Sequence, residues 1–237
     1  MKKLKILAVA LGAVAITSSA LATPTLVIWD TGGSSATVLA APTGLASFAS
    51  VSFDGAWSVV ITTSETKPAL GSATVPVMDF NIQAMSLGTS GRNLHFSWSD
   101  DAFGPLVNGV VQAQLSGHVV SGTGAGVQYQ TFYHAGAGVW NTATAPSWTQ
   151  LTDSGVLTPP YYMSIQNNTL VQSSFGLDEY LTIAAVPGGS YSLDASLIGN
   201  GGEGFHRDVP DSGNTLLLLG LAFVAIATLR PISHKAA

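Results

Sequence analysis

The chain is 237 residues long with a formal net charge of −5, yet only 9% of its residues are charged, against roughly 25% in an ordinary soluble domain. It has no cysteine, 26 glycines and 11 prolines. These values exclude a disulfide scaffold, a thiol enzyme, a cysteine-ligated zinc or iron–sulfur site and a basic nucleic-acid binder.

The first element is a signal peptide over residues 1–22. Lys2, Lys3 and Lys5 form its basic end, Ile6 to Ile16 its apolar stretch, and Ala20-Leu21-Ala22 a small-x-small cleavage site before Thr23. The competing reading is an N-terminal membrane anchor, but the apolar stretch is short for a hydrocarbon core of ~30 Å. The expectation is export by the Sec route and removal by signal peptidase.

Residues 23–198 read as strands. Period-two alternation places Trp57, Val59 and Ile61 on one face, then Leu94, Phe96 and Trp98, then Val111, Ala113 and Leu115, and finally Tyr191, Leu193, Ala195 and Leu197. Further runs fall at Leu26 to Trp29, Ala73 to Leu87, Val127 to Tyr133, Thr169 to Phe175 and Tyr180 to Val186. Turn signals separate them at Gly32-Gly33, Asp54-Gly55, Asn108-Gly109, Gly122 to Gly126, Pro159-Pro160 and Pro187-Gly188-Gly189. About nine to eleven short strands predict an all-β fold, a single jelly-roll-like β-sandwich large enough to bury a core without disulfides. Asn108-Gly109 predicts a tight hairpin joining Pro105-Leu106-Val107 to Val110-Val111. No fixed-period repeat points to a propeller or β-helix.

Candidate chemistry inside this domain is sparse. Asp100-Asp101, expected to end a strand, and Asp178-Glu179, expected to begin one, are oxygen-rich pairs of the kind that bind calcium from loops, or that serve as general acid and base in glycoside cleavage. Solvated acids in a turn are the plainer reading, and no D-x-D-x-D-G loop is present. Asp100 and Asp101 are therefore a candidate calcium site only, and no other cofactor is expected. His95, His118, His134, His206 and His234 show no metal-ligand spacing. Gly88-Thr89-Ser90-Gly91 lacks the G-x-S-x-G spacing of a nucleophile turn, and Gly122-x-Gly124-x-Gly126 lacks the helix of a phosphate site. No catalytic residue is assigned. Trp140, Trp148, Tyr161 and Tyr162 lie in a loop-rich stretch from Gly136 to Met163 and are candidate sugar-stacking residues. Their alternative role is to close the end of the core.

Residues 199–208, with Gly199, Gly201, Gly202 and Gly204, read as a flexible linker. Val209-Pro210-Asp211-Ser212-Gly213 follows, then Asn214, fifteen uncharged residues from Thr215 to Leu229, Arg230 and Lys235. As a transmembrane helix over about 214–230 the uncharged run spans ~22 Å, short for a bilayer but sufficient if Arg230 snorkels. Arg230 and Lys235 then remain inside. A buried core helix or a simple anchor capped by Asp211 and Ser212 is the alternative.

This tail over 209–235 resembles the PEP-CTERM class of sorting signals, in its VPDSG-CTERM variant. The resemblance matches Val209, Pro210, Asp211, Ser212 and Gly213, and departs in a thin basic end, with Arg230 followed by Pro231. It implies recognition by an exosortase, a membrane-embedded transpeptidase-like enzyme of Gram-negative bacteria that make extracellular polysaccharide. It implies too a membrane-held intermediate at the inner membrane before delivery to the cell surface or beyond. The motif residues would be recognised as substrate and would do no catalysis.

Five of the eight basic residues lie in the two ends. From Thr23 to Pro210 only Lys67, Arg92 and Arg207 face twelve acids, which leaves −9. Such a domain is repelled by nucleic acid and anionic membranes. The leading expectation is an exported, non-enzymatic surface or matrix protein, structural or adhesive and linked to extracellular polysaccharide. A secreted carbohydrate-binding module is the first alternative and a secreted hydrolase the second.

Overall fold

The structure, a computed structural model, describes residues 23–199 except 89–90, 107–108, 137 and 169–172. The signal peptide, Arg207, His206, His234, the sorting motif Val209–Gly213, the membrane helix and its anchors Arg230 and Lys235 lie outside the described residues. So does the linker beyond Gly199. Among the described residues no helix is long and apolar enough to cross a membrane.

Twelve strands occur among the described residues: β1 (Thr25–Asp30), β2 (Ser35–Leu39), β3 (Leu45–Phe53), β4 (Trp57–Glu65), β5 (Val77–Ser86), β6 (Leu94–Phe103), β7 (Val110–Ser121), β8 (Val127–Ala135), β9 (Thr149–Asp153), β10 (Tyr161–Asn168), β11 (Phe175–Ile183) and β12 (Ser190–Gly199). They form two six-stranded antiparallel sheets. Sheet A runs β2-β1-β6-β11-β8-β9 and sheet B runs β10-β7-β12-β5-β4-β3. Most connections cross between the sheets, so the chain closes a sandwich over one core. The fold is all-β, as the alternation predicts.

The core is aromatic and its polar tips are satisfied. Trp57, Trp98, Tyr129, Tyr161, Tyr191, Phe80, Phe96, Phe103 and Phe175 are almost fully buried between the sheets, each contributing roughly 1.5–3 kcal/mol through burial. Trp57 Nε1 donates to Arg92 O at 2.9 Å, Trp98 Nε1 to Glu65 O at 3.2 Å, and Tyr161 Oη to Ala125 O at 2.8 Å. A buried donor therefore costs nothing extra here.

The two sheets differ on their outer faces, and this difference positions everything that follows. In β1, β6 and β11 both faces are buried. In β7 and β12 buried residues alternate with half-exposed ones. The middle of sheet A is covered on its outside, whereas the middle of sheet B is half-open to solvent.

Several local expectations are corrected. The Asn108-Gly109 hairpin does not form: Leu106 lies in no strand, and β6 and β7 belong to different sheets. Asp100-Asp101 lies inside β6, which continues to Phe103, and Asp178-Glu179 lies inside β11, which starts at Phe175 and ends at Ile183. The Gly136–Met163 stretch contains β9 and the start of β10, and β2 and β3 fall outside the expected runs. In β3 the register against β4 shifts twice, between Ala46 and Phe48 and between Ser50 and Phe53. Such bulges break the period-two pattern that reveals a strand.

Candidate functional site

The outer face of sheet A carries a second, smaller apolar cluster. Val27 and Trp29 from β1, Phe132 from β8 and Tyr180 from β11 pack together there, with Trp148 against them. The Trp29 ring stacks on His95 at 5.3 Å and on Tyr180 at 5.7 Å. Burial lowers the His95 pKa, partly offset by Asp30. His95 Nδ1 lies 3.0 Å from both Thr182 Oγ1 and Tyr180 Oη.

The segment between β8 and β9 lies over this cluster and is pinned by backbone donors. Gly138 N donates to Asp101 Oδ2 at 2.9 Å, and Trp140 N donates to Ser99 Oγ at 2.8 Å. Gly176 makes the close approach possible: a Cβ there would lie 2.6 Å from Gly138 O and 3.5 Å from the Trp148 ring. Trp140 and Trp148 meet edge to face, 5.8 Å apart at 89°, and Trp148 lies 5.1 Å from the His134 ring. Trp140 Nε1 donates to Thr144 O at 2.9 Å. Both indoles remain half-exposed.

Trp140 and Trp148 therefore come together, but Tyr161 and Tyr162 do not join them. Tyr161 points into the inter-sheet core at 1% exposure, and Tyr162, its neighbour in β10, stands 73% exposed on the outside of sheet B. Strand alternation sends adjacent residues to opposite faces. The two tryptophans do not close the end of the main core; Trp148 packs on the outer cluster and Trp140 packs on Trp148.

The same alternation separates each acid pair. Asp100 Oδ2 accepts from Thr66 Oγ1 at 2.6 Å and from Lys67 Nζ at 2.7 Å, and Oδ1 accepts from the Asp101 amide. Burial pushes the Asp100 carboxyl up, and Lys67 pulls it back. Asp101 faces the other way, under Gly138, and its Oδ1 has no hydrogen-bond partner. Asp178 lies on the outer side, fully buried, with Oδ1 accepting from Ser97 Oγ at 2.6 Å; burial pushes it up to about 8. Glu179 lies on the core side, accepts from Tyr129 Oη at 2.5 Å, and is held well above the usual carboxylate range by burial. All four are buried strand residues, which replaces the expectation of solvated acids in turns. Among the described residues no three His, Asp or Glu side chains gather as a metal site.

Lys67 and Asp100 form part of the wall of a cleft of about 660 Å³ with Pro24, Pro42, Pro68 and Ala73. The Lys67 ammonium is engaged by Asp100, by the Asp101 carbonyl and by the Phe103 ring 3.8 Å below it. Neither charge is free to act on a substrate. Gly122 turns the chain from β7 to β8 with φ 77° against Gly188, and Gly124 abuts Pro159. Gly122 to Gly126 is a packed turn. Thr89 and Ser90 lie outside the described residues.

One surface escapes the motif search. The outside of sheet B presents Gln112, Gln114 and Ser116 from β7 beside Gln166, Ser164 and Tyr162 from β10. The alternation of Gln112, Gln114 and Ser116 was its signal in the sequence.

Residues 208–232 match the family model described as the VPDSG-CTERM motif. The chain thus carries a C-terminal sorting signal of that kind, a sign of export to the cell surface or beyond. No curated protein matches the chain. Among solved structures, it is similar to the CBM22-1 xylan-binding domain from Paenibacillus barcinonensis Xyn10C, at 14% identity over 68% of this chain and 88% of that one, with a TM-score of 0.32. It is also similar to the family 11 carbohydrate-binding module from Clostridium thermocellum, at 13% identity over 75% and 96% with a TM-score of 0.28. A third is the arabinose-bound MgGH51 α-L-arabinofuranosidase, at 12% identity over 67% of this chain and 27% of that one, with a TM-score of 0.31.

Proposed function

We propose that this chain is an exported, non-enzymatic surface or matrix protein, passed through an exosortase-type enzyme by its tail, whose sandwich adheres to extracellular polysaccharide through Trp140 and Trp148. The observation that carries this reading is the union of a sorting signal at 208–232 with a β-sandwich that holds two half-exposed indoles in contact in the segment between β8 and β9. Aromatic faces stack on the apolar faces of sugar rings at little conformational cost. The buried and divergent carboxylates favour adhesion over hydrolysis, since general acid–base cleavage needs two carboxyls flanking one bond.

The Trp140→Ala variant tests it. Trp140 packs on Trp148 at the rim of the cluster, so the melting temperature should hold while retention on the producing strain's own polysaccharide is lost or sharply weakened. Unchanged retention would remove the indoles from the binding surface, and release of reducing sugar by the wild-type protein would restore the hydrolase.

A further inference from the structure

We infer that the outside of sheet B is a second docking surface for a neutral, hydroxyl-rich polysaccharide chain, so that one domain bridges two glycan chains. The inference rests on the polysaccharide reading above but on a different face of the molecule.

Across sheet B, β10 pairs with β7, β7 with β12 and β12 with β5 in an antiparallel array. One row of outward side chains runs Ser164, Gln114, Ser196, Asp79, and the next Tyr162, Ser116, Asp194, Asn81. Neither β7 nor β10 contains an Asp, Glu, Lys or Arg. An exposed sheet face of an ordinary soluble domain carries roughly a quarter to a third charged residues. On β7 and β10 this one offers amides and hydroxyls, which supply both donors and acceptors, while the acids Asp194 and Asp79 sit on the neighbouring β12 and β5. Gln112 Nε2 already donates to Ser164 Oγ at 3.3 Å across the two strands, and Thr62 Oγ1 to Asn81 Oδ1 at 3.1 Å, so the groups are mutually oriented.

Three occupants compete for such a face. A second copy of the chain needs an apolar interface core, whereas the β7 and β10 part of this face offers the exposed Tyr162 ring amid polar groups, with the exposed Val60 and Met85 apart on β4 and β5, and two domains near −9 repel. A polyanionic glycan is repelled for the same reason. A neutral glycan matches: its hydroxyls pair with amides and hydroxyls in either sense, and Tyr162 supplies a stacking edge. Each contact exchanges for one with water, so affinity per sugar is low and the polymer gains through many contacts.

The test uses the full exported protein with the strain's polysaccharide, separated into neutral and uronic-acid-containing pools, and reads retention in affinity gels together with aggregation of the glycan by light scattering. Wild type should bind and aggregate the neutral pool. Gln112→Glu with Gln114→Glu should leave the fold and Trp140-dependent retention intact but abolish aggregation, with avidity falling about a hundredfold. Tyr162→Ala, which leaves strand pairing untouched, should weaken aggregation too. If Trp140→Ala changes nothing while the glutamine variant abolishes binding, the indole reading fails and the sheet B surface stands. Normal aggregation by both sheet B variants overturns the inference, as does self-association of the free protein that these variants dissolve, which would make the face a protein interface.

Discussion

The Tyr129 hydroxyl donates a 2.5 Å hydrogen bond to Oε1 of Glu179 from the neighbouring strand, inside the main core and out of reach of water. A carboxylate there would be a buried charge with one oxygen unpaired, so the protonated acid is favoured. Asp178 on the other face behaves alike, pushed up to about 8 by burial. In the unfolded chain both groups titrate near 4. The folded state therefore holds more protons between about pH 4 and 8, and stability is full below that window and falls as pH rises through it. Thermal melts should give a higher Tm at pH 5 than at pH 8, and Glu179→Gln with Asp178→Asn should flatten the dependence. A dependence that Glu179→Gln with Asp178→Asn leaves unchanged would show that the two acids do not carry it.

Lys67 offers the opposite lesson. Its ammonium compensates the buried Asp100 carboxylate, with Thr66 completing the site. Lys67→Met leaves that charge alone and should cost about 3–5 kcal/mol in urea denaturation. Asp100→Asn added to Lys67→Met should recover part of the loss, because the uncompensated charge is then gone.

Gly176 sets the height of the aromatic segment. Gly176→Ala places a methyl 2.6 Å from the Gly138 carbonyl, so the segment must lift and the amide of Gly138 must leave Asp101. We expect faster hydrogen exchange at Gly138 and Trp140 and weaker glycan retention, with the inter-sheet core unchanged. Native exchange rates at those two amides would mean that the strand itself shifts instead.

Trp148 and Trp140 should separate in their effects. Trp148 packs on the Val27, Trp29, Phe132 and Tyr180 cluster, so Trp148→Ala should cost about 2 kcal/mol of stability. Trp140 stands at the rim, and its removal should cost under half of that. Equal losses in chemical denaturation would place both indoles in the cluster.

At the tail, Asp211→Ala with Ser212→Ala should leave export intact and block C-terminal processing. Intact-mass measurement of the exported protein in a host with its own exosortase decides this, and a mature mass matching the processed wild type would rule the motif out as the recognition element.

Period-two alternation reveals β4, β6, β7 and β12, although β6 is buried on both faces. Leu193, Ala195 and Leu197 alternate with Asp194 and Ser196 because sheet B is open outside, and β12 is plain from the pattern. Asp178-Glu179 and Asp100-Asp101 look like turn acids because local sequence carries no sign that the aromatic segment and Lys67 will cover them. Tyr161 and Tyr162 look like a pair because adjacency in the chain hides the opposite faces of a strand. The contact of Trp140 with Trp148 depends on Gly176, far along the chain, and no local pattern announces it. Residues 209–213 are legible because the match rests on consecutive residue identities, Val209 to Gly213.

Sheet B's central strand has one more role. β12 is hydrogen-bonded along its length to β5 on one side and to β7 on the other, and it is the strand from which the chain continues toward the tail. A force along the axis of β12 must therefore shear both ladders together before the strand can slip. A terminal strand at a sheet edge would peel one bond at a time. The chain beyond Gly199 is thus carried by a strand that two ladders hold in place.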